Sequence, residues 1–183
     1  MTAGPHIPLS IAVAQPRVHL GDVAANVRSH AELISAAGAR VVVFPELSLT
    51  GYDLDAPAVD PSSPVLLALV EACRVHSSIA LVGAPIVDSG VHHIATLVVD
   101  GHETAVAYRK MFLGGDEDER FSAGNGPGIM QVDGWRVGLG ICKDTRIDEH
   151  IDATISLGID LYVAGVVHGP EEVRDHQLRA QRI

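Results

Sequence analysis

The segment Trp135-Arg-Val-Gly-Leu-Gly-Ile-Cys-Lys-Asp144 gives the strongest indication of how this chain folds. In this segment Val, Leu and Ile alternate with Gly, Gly and Cys142. A strand would therefore have one apolar face and one face that carries no side chain before the thiol of Cys142. A lone Cys in an apolar strand is usually a small core residue. Here polar residues follow at once, which predicts Cys142 at a strand-to-helix junction, where amide dipoles and a nearby Lys favour the thiolate.

Two other reactive side chains also end strand-like runs. Glu46 follows Val-Val-Val-Phe-Pro, and Lys110 follows Val-Ala-Tyr-Arg. A thiol, a carboxylate and an ammonium are the nucleophile, base and oxyanion stabiliser that acyl transfer needs. Taken singly, a Glu in a loop and a Lys after a strand are usually solvent-exposed. Together with Cys142, they predict hydrolysis through a thioester, in which the backbone N–H of Lys143 assists Lys110 at the oxyanion.

Three motifs carry a family resemblance. They are Phe44-Pro-Glu-Leu-Ser-Leu-Thr-Gly-Tyr52, Tyr108-Arg-Lys-Met-Phe-Leu113 and Gly140-Ile-Cys-Lys-Asp144. In type, order and spacing they resemble the signatures of the nitrilase superfamily, the carbon–nitrogen hydrolases, and the resemblance runs from about Ile11 to the C-terminus. It implies a catalytic triad of Glu46, Lys110 and Cys142 within an α/β fold, an α-β-β-α sandwich.

The resemblance also implies a second catalytic or structural Glu shortly after the Lys. The run Asp116-Glu-Asp-Glu119 would ordinarily be a solvated acidic loop. Counting back from the aromatic residue and glycine that follow the run favours Glu117, with Glu119 as the alternative. This carboxylate would orient Lys110 and line the leaving-group side of the site.

The substrate pocket is predicted to include Tyr52, Lys143 and His168, although plain packing is an equal alternative for Tyr52 and His168. True nitrilases typically have Trp-Glu after the nucleophile, whereas Lys143-Asp144 follows Cys142. This departure favours small amides or carbamoyl amides over nitriles as substrates.

Composition narrows the class of protein. The 183 residues, 47% of them apolar, suit one domain over residues 1–183. A net charge of −10 argues against nucleic acid or an anionic membrane as partner. No apolar stretch is long enough to span a bilayer. Cys73, interpreted as core, and Cys142 make no disulfide framework, so a cytoplasmic location is expected.

No metal or other cofactor is expected. The His residues are scattered along the chain, and the adjacent His92 and His93 would point to opposite faces of one strand. No glycine cluster suited to phosphate binding is present either. The thiol, the carboxylate and the ammonium need no helper ion for this chemistry.

Strands and helices alternate along the chain. The predicted strands are Leu9–Gln15, Val41–Phe44, Ile79–Val87, Val91–Val99, Glu103–Arg109, Trp135–Ile141 and Asp160–Val167. Four helices are predicted: from the N-cap Asp22 to Gly38, from Ser63-Pro64 to His76, from a capping box at Thr145 to Leu157, and from Pro170 toward Arg182.

The resemblance implies that family members continue beyond Ile183 with strands that complete the second sheet, so this sheet is expected to be incomplete. An uncovered sheet edge favours association. Family members typically pair through helices near the nucleophile, where Ile147, Ile151 and Ile155 recur at helical spacing. A homo-oligomer is therefore predicted.

Three functions remain open. The first is a cysteine amidohydrolase that releases ammonia or an amine from a small linear amide. The second is a glutamine-amide hydrolysing domain that passes ammonia to a partner. The third is a truncated, non-catalytic homologue that serves as a binding or assembly module.

Overall fold

The computed structural model describes residues 7–181 as alternating strands and helices. The strands are β1 Ile11–Val13, β2 Val41–Val43, β3 Ile79–Asp88, β4 Val91–Val99, β5 Thr104–Arg109, β6 Gly128–Val132, β7 Trp135–Ile141 and β8 Leu161–Gly165. The α-helices are α1 Val23–Ala37, α2 Leu67–His76, α3 Asp148–Ser156 and α4 Val173–Ala180. Short 3-10 helices span Pro64–Leu66, Glu117–Glu119, Cys142–Arg146 and Pro170–Glu172.

The strands form two sheets, in the orders β1-β2-β3-β4-β5 and β6-β7-β8. β1, β2 and β3 run parallel, whereas β3, β4 and β5 form antiparallel hairpins. Helices α1 and α2 cover the outer face of the first sheet, and α3 packs on the second. The predicted α-β-β-α sandwich is confirmed, with three strands in the second sheet. No helix between residues 7 and 181 is long and apolar enough to cross a membrane.

Strand β2 is buried on both faces, as its continuous run of valines predicts. Val42 packs outward into the core that the first sheet shares with α1 and α2. Val41 and Val43 face the other way, into the core between the sheets, together with Leu139 of β7. This double burial holds the end of β2, and the loop that follows it, in the centre of the molecule.

Asp22 and Gly38 delimit α1 as predicted. The side chain of Asp22 accepts a hydrogen bond from the backbone N–H of Ala25, and Gly38 adopts the left-handed conformation at the C-cap. The hairpin strands and β7 also lie where the sequence predicts them.

Other sequence predictions of the fold need correction. Strand β6 was not predicted, because a Gly- and Pro-containing run precedes and enters it. Ser63 makes no capping hydrogen bond, since Pro64 begins a short 3-10 helix before α2. Thr145 does not cap α3 either: its hydroxyl donates to the carbonyl of Cys142 within a 3-10 helix, and α3 begins after Ile147. The predicted helix end at Arg182 lies outside the described residues.

His30 is a fully buried titratable group of α1. Its ring stacks on Phe44, with centroids 4.2 Å apart, and its Nδ1 lies 2.7 Å from the carbonyl oxygen of Asn26. Among residues 7–181, Nε2 has no hydrogen-bond partner. Burial lowers the pKa of His30 to about 4, so the folded protein holds a neutral ring.

We expect His30 to make the protein less stable in acid. Between a pH of about 6.5 and 4, the unfolded chain protonates this residue while the folded chain does not, so the free energy of unfolding falls as pH falls, by about 3 kcal/mol in total. Below both pKa values this contribution is constant. Urea unfolding across this range should show a shallower pH dependence for His30→Leu than for the wild type. Equal slopes would contradict the expectation.

Candidate active site

Lys110 and Cys142 directly follow β5 and β7, and Glu46 lies three residues after the end of β2, as the sequence predicts. Glu46 and Lys110 are only 2% and 1% exposed. Lys110 Nζ donates to Glu46 Oε1 at 2.6 Å and lies 2.7 Å from Oε2 of Glu117. The structure thus brings one ammonium and two carboxylates into a single buried cluster.

Two glycines clamp the backbone of Glu46 between the sheets. A Cβ at Gly83 of β3 would lie 2.3 Å from the amide nitrogen of Leu47, and a Cβ at Gly165 of β8 would lie 3.1 Å from the amide nitrogen of Glu46. The backbone N–H of Phe44 continues the ladder by donating to Leu81. The loop carrying Glu46 therefore fits only because both sheets lack a side chain where it passes.

Opposing effects act on the charges of the cluster. Burial raises the pKa of Glu46, and the neighbouring Lys110 only partly offsets this. Burial opposes the charge of Lys110, but the carboxylates of Glu46 and Glu117 outweigh it and raise the pKa, so the ammonium persists. Within the described part of the chain, Oε2 of Glu46 is buried without a hydrogen-bond partner of ordinary geometry, and the side chain also interacts with the thiol of Cys142.

Cys142 lies at the predicted strand-to-helix junction with a φ of 43°, in the left-handed region that is strained for a residue with a side chain. Amide dipoles and Lys110 favour the thiolate here, but the buried surroundings act against it. Burial and the adjacent Glu46 outweigh Lys110 and raise the pKa of Cys142 to about 12. The surroundings in the folded protein therefore favour the thiol form of Cys142.

The glycine face of β7 allows neighbouring elements to pack closely against the strand. A Cβ at Gly140 would lie 1.9 Å from the hydroxyl oxygen of Tyr162, and one at Gly138 would lie 2.6 Å from Thr154 of α3. The alternation of β7 is therefore as predicted, but its glycines accommodate the neighbouring strand and the outer helix. The apolar face, with Leu139, packs into the core between the sheets.

Asp144 joins the turn of Cys142 to the segment of Lys110. Its carboxylate accepts hydrogen bonds from the N–H of Ile141 at 3.0 Å, from the hydroxyl of Tyr108 at 2.8 Å and from the N–H of Phe112 at 2.9 Å. The sequence motif contains Asp144, but this bridging contact could not be predicted from it. The arrangement fixes two of the three strand ends relative to each other.

Glu117, and not Glu119, reaches Lys110. Glu117 is 1% exposed, and it accepts hydrogen bonds from the N–H of Gly114 at 2.7 Å and from the hydroxyl of Tyr52 at 2.6 Å. Glu119 is exposed. Glu117 and Glu119 differ in burial because the 3-10 helix that they delimit buries only its first residue, Glu117.

A cavity of about 290 Å³ adjoins Glu46. Two predicted pocket residues, Tyr52 and His168, line it, and its apolar walls include Val18 and Leu20. The side chain of Lys143 is not part of the lining, since its ammonium donates to the carbonyl of Leu113. The role predicted for the backbone N–H of Lys143, which directly follows Cys142, stays a prediction.

His168 contacts the thiol from the segment after β8. Its Nε2 lies 3.3 Å from Sγ of Cys142, and its Nδ1 lies 2.6 Å from Oε2 of Glu172. Oε1 of Glu172 accepts a hydrogen bond from Arg146 at 2.6 Å. Sequence reasoning missed Glu172 and Arg146. Only the i, i+4 spacing of His168 and Glu172 could have indicated the first of them.

No grouping of three or more His, Cys, Asp or Glu suited to a metal ion occurs in the part of the chain from 7 to 181.

Comparisons with known proteins identify a family. The sequence model of the carbon–nitrogen hydrolase family matches residues 10–182. A protein described as "Hydrolase in pqqF 5'region" from Pseudomonas protegens is 31% identical over 153 residues, covering 76% of this chain and 53% of that protein. A glutamine-dependent NAD(+) synthetase from Xylella fastidiosa is 33% identical over 168 residues, covering 84% of this chain and 30% of the synthetase.

An amidase from Nesterenkonia sp. AN1, solved with acrylamide added to its active-site cysteine, has a similar fold. Its TM-score is 0.79 at 20% identity, with 90% of this chain and 70% of the amidase covered. This chain spans about half the length of the Pseudomonas relative and under a third of the synthetase. With the family model matched over nearly its whole length, the chain belongs to the carbon–nitrogen hydrolase family.

Proposed function

We propose that this protein hydrolyses the C–N bond of a small linear amide through a thioester on Cys142. One observation carries the proposal: Glu46 and Lys110 form a buried ion pair beside this thiol, next to a cavity. If these positions served only to stabilise the fold, apolar residues would be favoured there, because buried charges cost free energy unless they are paired. A carboxylate that pairs with Lys110 through one oxygen and also interacts with the thiol suits a base.

The proposed reaction begins at the thiol. Glu46 removes the proton from Cys142 as sulfur attacks the amide carbon, and Lys110 with the N–H of Lys143 stabilises the oxyanion. Glu46 then gives the proton to the nitrogen as the C–N bond breaks, which releases ammonia or an amine. Water attacks the thioester, Glu46 accepts a proton from it, and the proton returns to sulfur as the carboxylic acid leaves.

Glu117 and Tyr52 are proposed to support this chemistry from behind Lys110. Glu117 holds the ammonium from the side opposite Glu46, and the hydroxyl of Tyr52 donates to Glu117. Because both contacts fix the direction of Lys110, they preorganise the positive charge where the oxyanion forms.

The cavity supports a small substrate. Its volume of about 290 Å³ is near the lower limit for ligand pockets, and Val18, Leu20 and Val166 give it apolar walls. A short amide with an apolar substituent would fit these walls. The amidase among the similar structures supports this choice of bond.

Glutamine hydrolysis is the second candidate. The 33% identity with a glutamine-dependent NAD(+) synthetase favours it. In that case the ammonia would pass to a partner, and glutamine would be preferred over amides that lack its charged end.

Ammonia release from a panel of amides tests the proposal. Short aliphatic amides should be hydrolysed faster than glutamine, and activity should survive chelators and dialysis because thiol, carboxylate and ammonium need no metal. Preference for glutamine would support the second candidate. Absence of release from every amide would favour a binding or assembly module. Loss of activity with a chelator, restored by zinc, would contradict the metal-free mechanism.

A further inference from the structure

The Cys142 thiol has a second basic neighbour besides Glu46. Nε2 of His168 lies 3.3 Å from Sγ, and the side chain of His168 is only 11% exposed. Because the carboxylate of Glu172 accepts a hydrogen bond from Nδ1 at 2.6 Å, the hydrogen of a neutral ring is held on Nδ1. Nε2 then presents its lone pair to the thiol.

The orientation of His168 is linked to the turn of the nucleophile. Arg146 donates to Glu172, and Arg146 ends the 3-10 helix that begins at Cys142. Glu172 thus contacts His168 with one oxygen and Arg146 with the other. Thiol, imidazole and carboxylate have the order of a nucleophile, its base and the group that orients the base.

The surroundings of the imidazole suit it as a base. Proton transfer from Sγ to Nε2 creates a thiolate and an imidazolium next to each other, and each charge stabilises the other. The carboxylate of Glu172 stabilises the resulting imidazolium, while Arg146 lies on the far side of Glu172.

We propose that His168, oriented by Glu172, is a second base for Cys142. The Sγ–H bond breaks, the proton moves to Nε2, and the electron pair stays on sulfur as a thiolate beside an imidazolium. In the proposed hydrolysis this route acts in parallel with Glu46, so this part of the inference rests on the proposed function. The proton transfer itself is a property of the free protein.

Alkylation kinetics test the second base because the readout does not depend on hydrolysis of an amide. The rate of Cys142 modification by iodoacetamide, followed by intact mass, is measured from a pH of about 5 to 8, where imidazole titrates. His168→Gln should slow alkylation at neutral pH roughly tenfold and flatten the pH profile. Glu172→Gln should slow it less. The matched control is His102→Gln, in the exposed β4–β5 turn, which should leave both rate and profile unchanged.

Rescue separates a base from a packing residue. His168→Gly opens space beside the cavity, and added imidazole should restore the alkylation rate in this variant but not in Glu46→Gln. Wild-type rate and profile in His168→Gln would overturn the proposal, as would a slow His168→Gly that imidazole does not restore. Neither outcome depends on amide turnover, so failure of the proposed hydrolysis remains distinguishable.

Discussion

Cys142→Ala is expected to abolish amide hydrolysis, a loss of at least about 10⁴-fold, because no other group in the proposed mechanism can form the thioester. The free energy of unfolding should change by less than about 1 kcal/mol, since removal of one partly exposed sulfur leaves the backbone hydrogen bonds of the turn in place. Ammonia release and urea unfolding measure the two effects separately.

Cys73→Ala is the matched control for this variant. Cys73 is fully buried in the core between α2 and the first sheet, where burial raises the pKa of its thiol to about 11. Its loss should destabilise the protein by about 1–2 kcal/mol and leave hydrolysis intact at temperatures where the variant is folded. Hydrolysis that persists in Cys142→Ala and disappears in Cys73→Ala would reverse the assignment of the nucleophile.

Lys110→Met is expected to have the largest combined effect on stability and activity. The ammonium is 1% exposed and separates two buried carboxylates, which the variant leaves without a cation. Leaving such charges uncompensated costs about 3–5 kcal/mol. Hydrolysis should fall by several orders of magnitude, because the oxyanion also loses its positive partner.

A double variant separates these two effects. Lys110→Met with Glu117→Gln removes one negative charge together with the positive one, so it should regain part of the lost stability while remaining inactive. Unfolding midpoints of the two single variants and the double variant form a thermodynamic cycle. Additive losses of stability would show that the buried charges do not interact, and would contradict the cluster as described.

The positions of the reactive side chains at strand ends could be predicted from the sequence motifs, because the end of a strand is a local feature of the sequence. Each of Glu46, Lys110 and Cys142 follows a run of residues whose burial can be predicted from the sequence pattern alone. The pKa of the Cys142 thiol could not be predicted in the same way. Burial depth and the distance to Glu46 determine the pKa of its thiol, and neither follows from adjacent residues.

Contacts between distant segments set the rest of the site. Glu172 orients His168 beside Cys142 only because the segment after β8 folds back toward this cysteine. Asp144 accepts a hydrogen bond from Phe112, which is 32 positions away in the sequence. Similarly, β6 is a strand because β7 pairs with it, although its own sequence is typical of a loop. Such pairings are properties of the folded chain.

Association of chains stays a prediction. Of the helical stripe expected at an interface, Ile147 and Ile151 are half-buried within the subunit, and Ile155 is 48% exposed. The apolar area that this stripe offers to a second chain is therefore smaller than its sequence spacing indicates.

The clamp formed by Gly83 and Gly165 limits how this site can be redesigned. The clamp holds Glu46, the proposed base, because neither position has a side chain. Even an alanine at either position would meet the backbone around Glu46, which cannot move aside as a flexible side chain can. Val18 and Leu20, by contrast, line the cavity, and neither is among the nearest contacts of a Cβ at Gly83 or Gly165. The cavity walls therefore tolerate substitution that could alter the range of the proposed substrates, whereas Gly83 and Gly165, which have no side chain, are as restricted as Cys142.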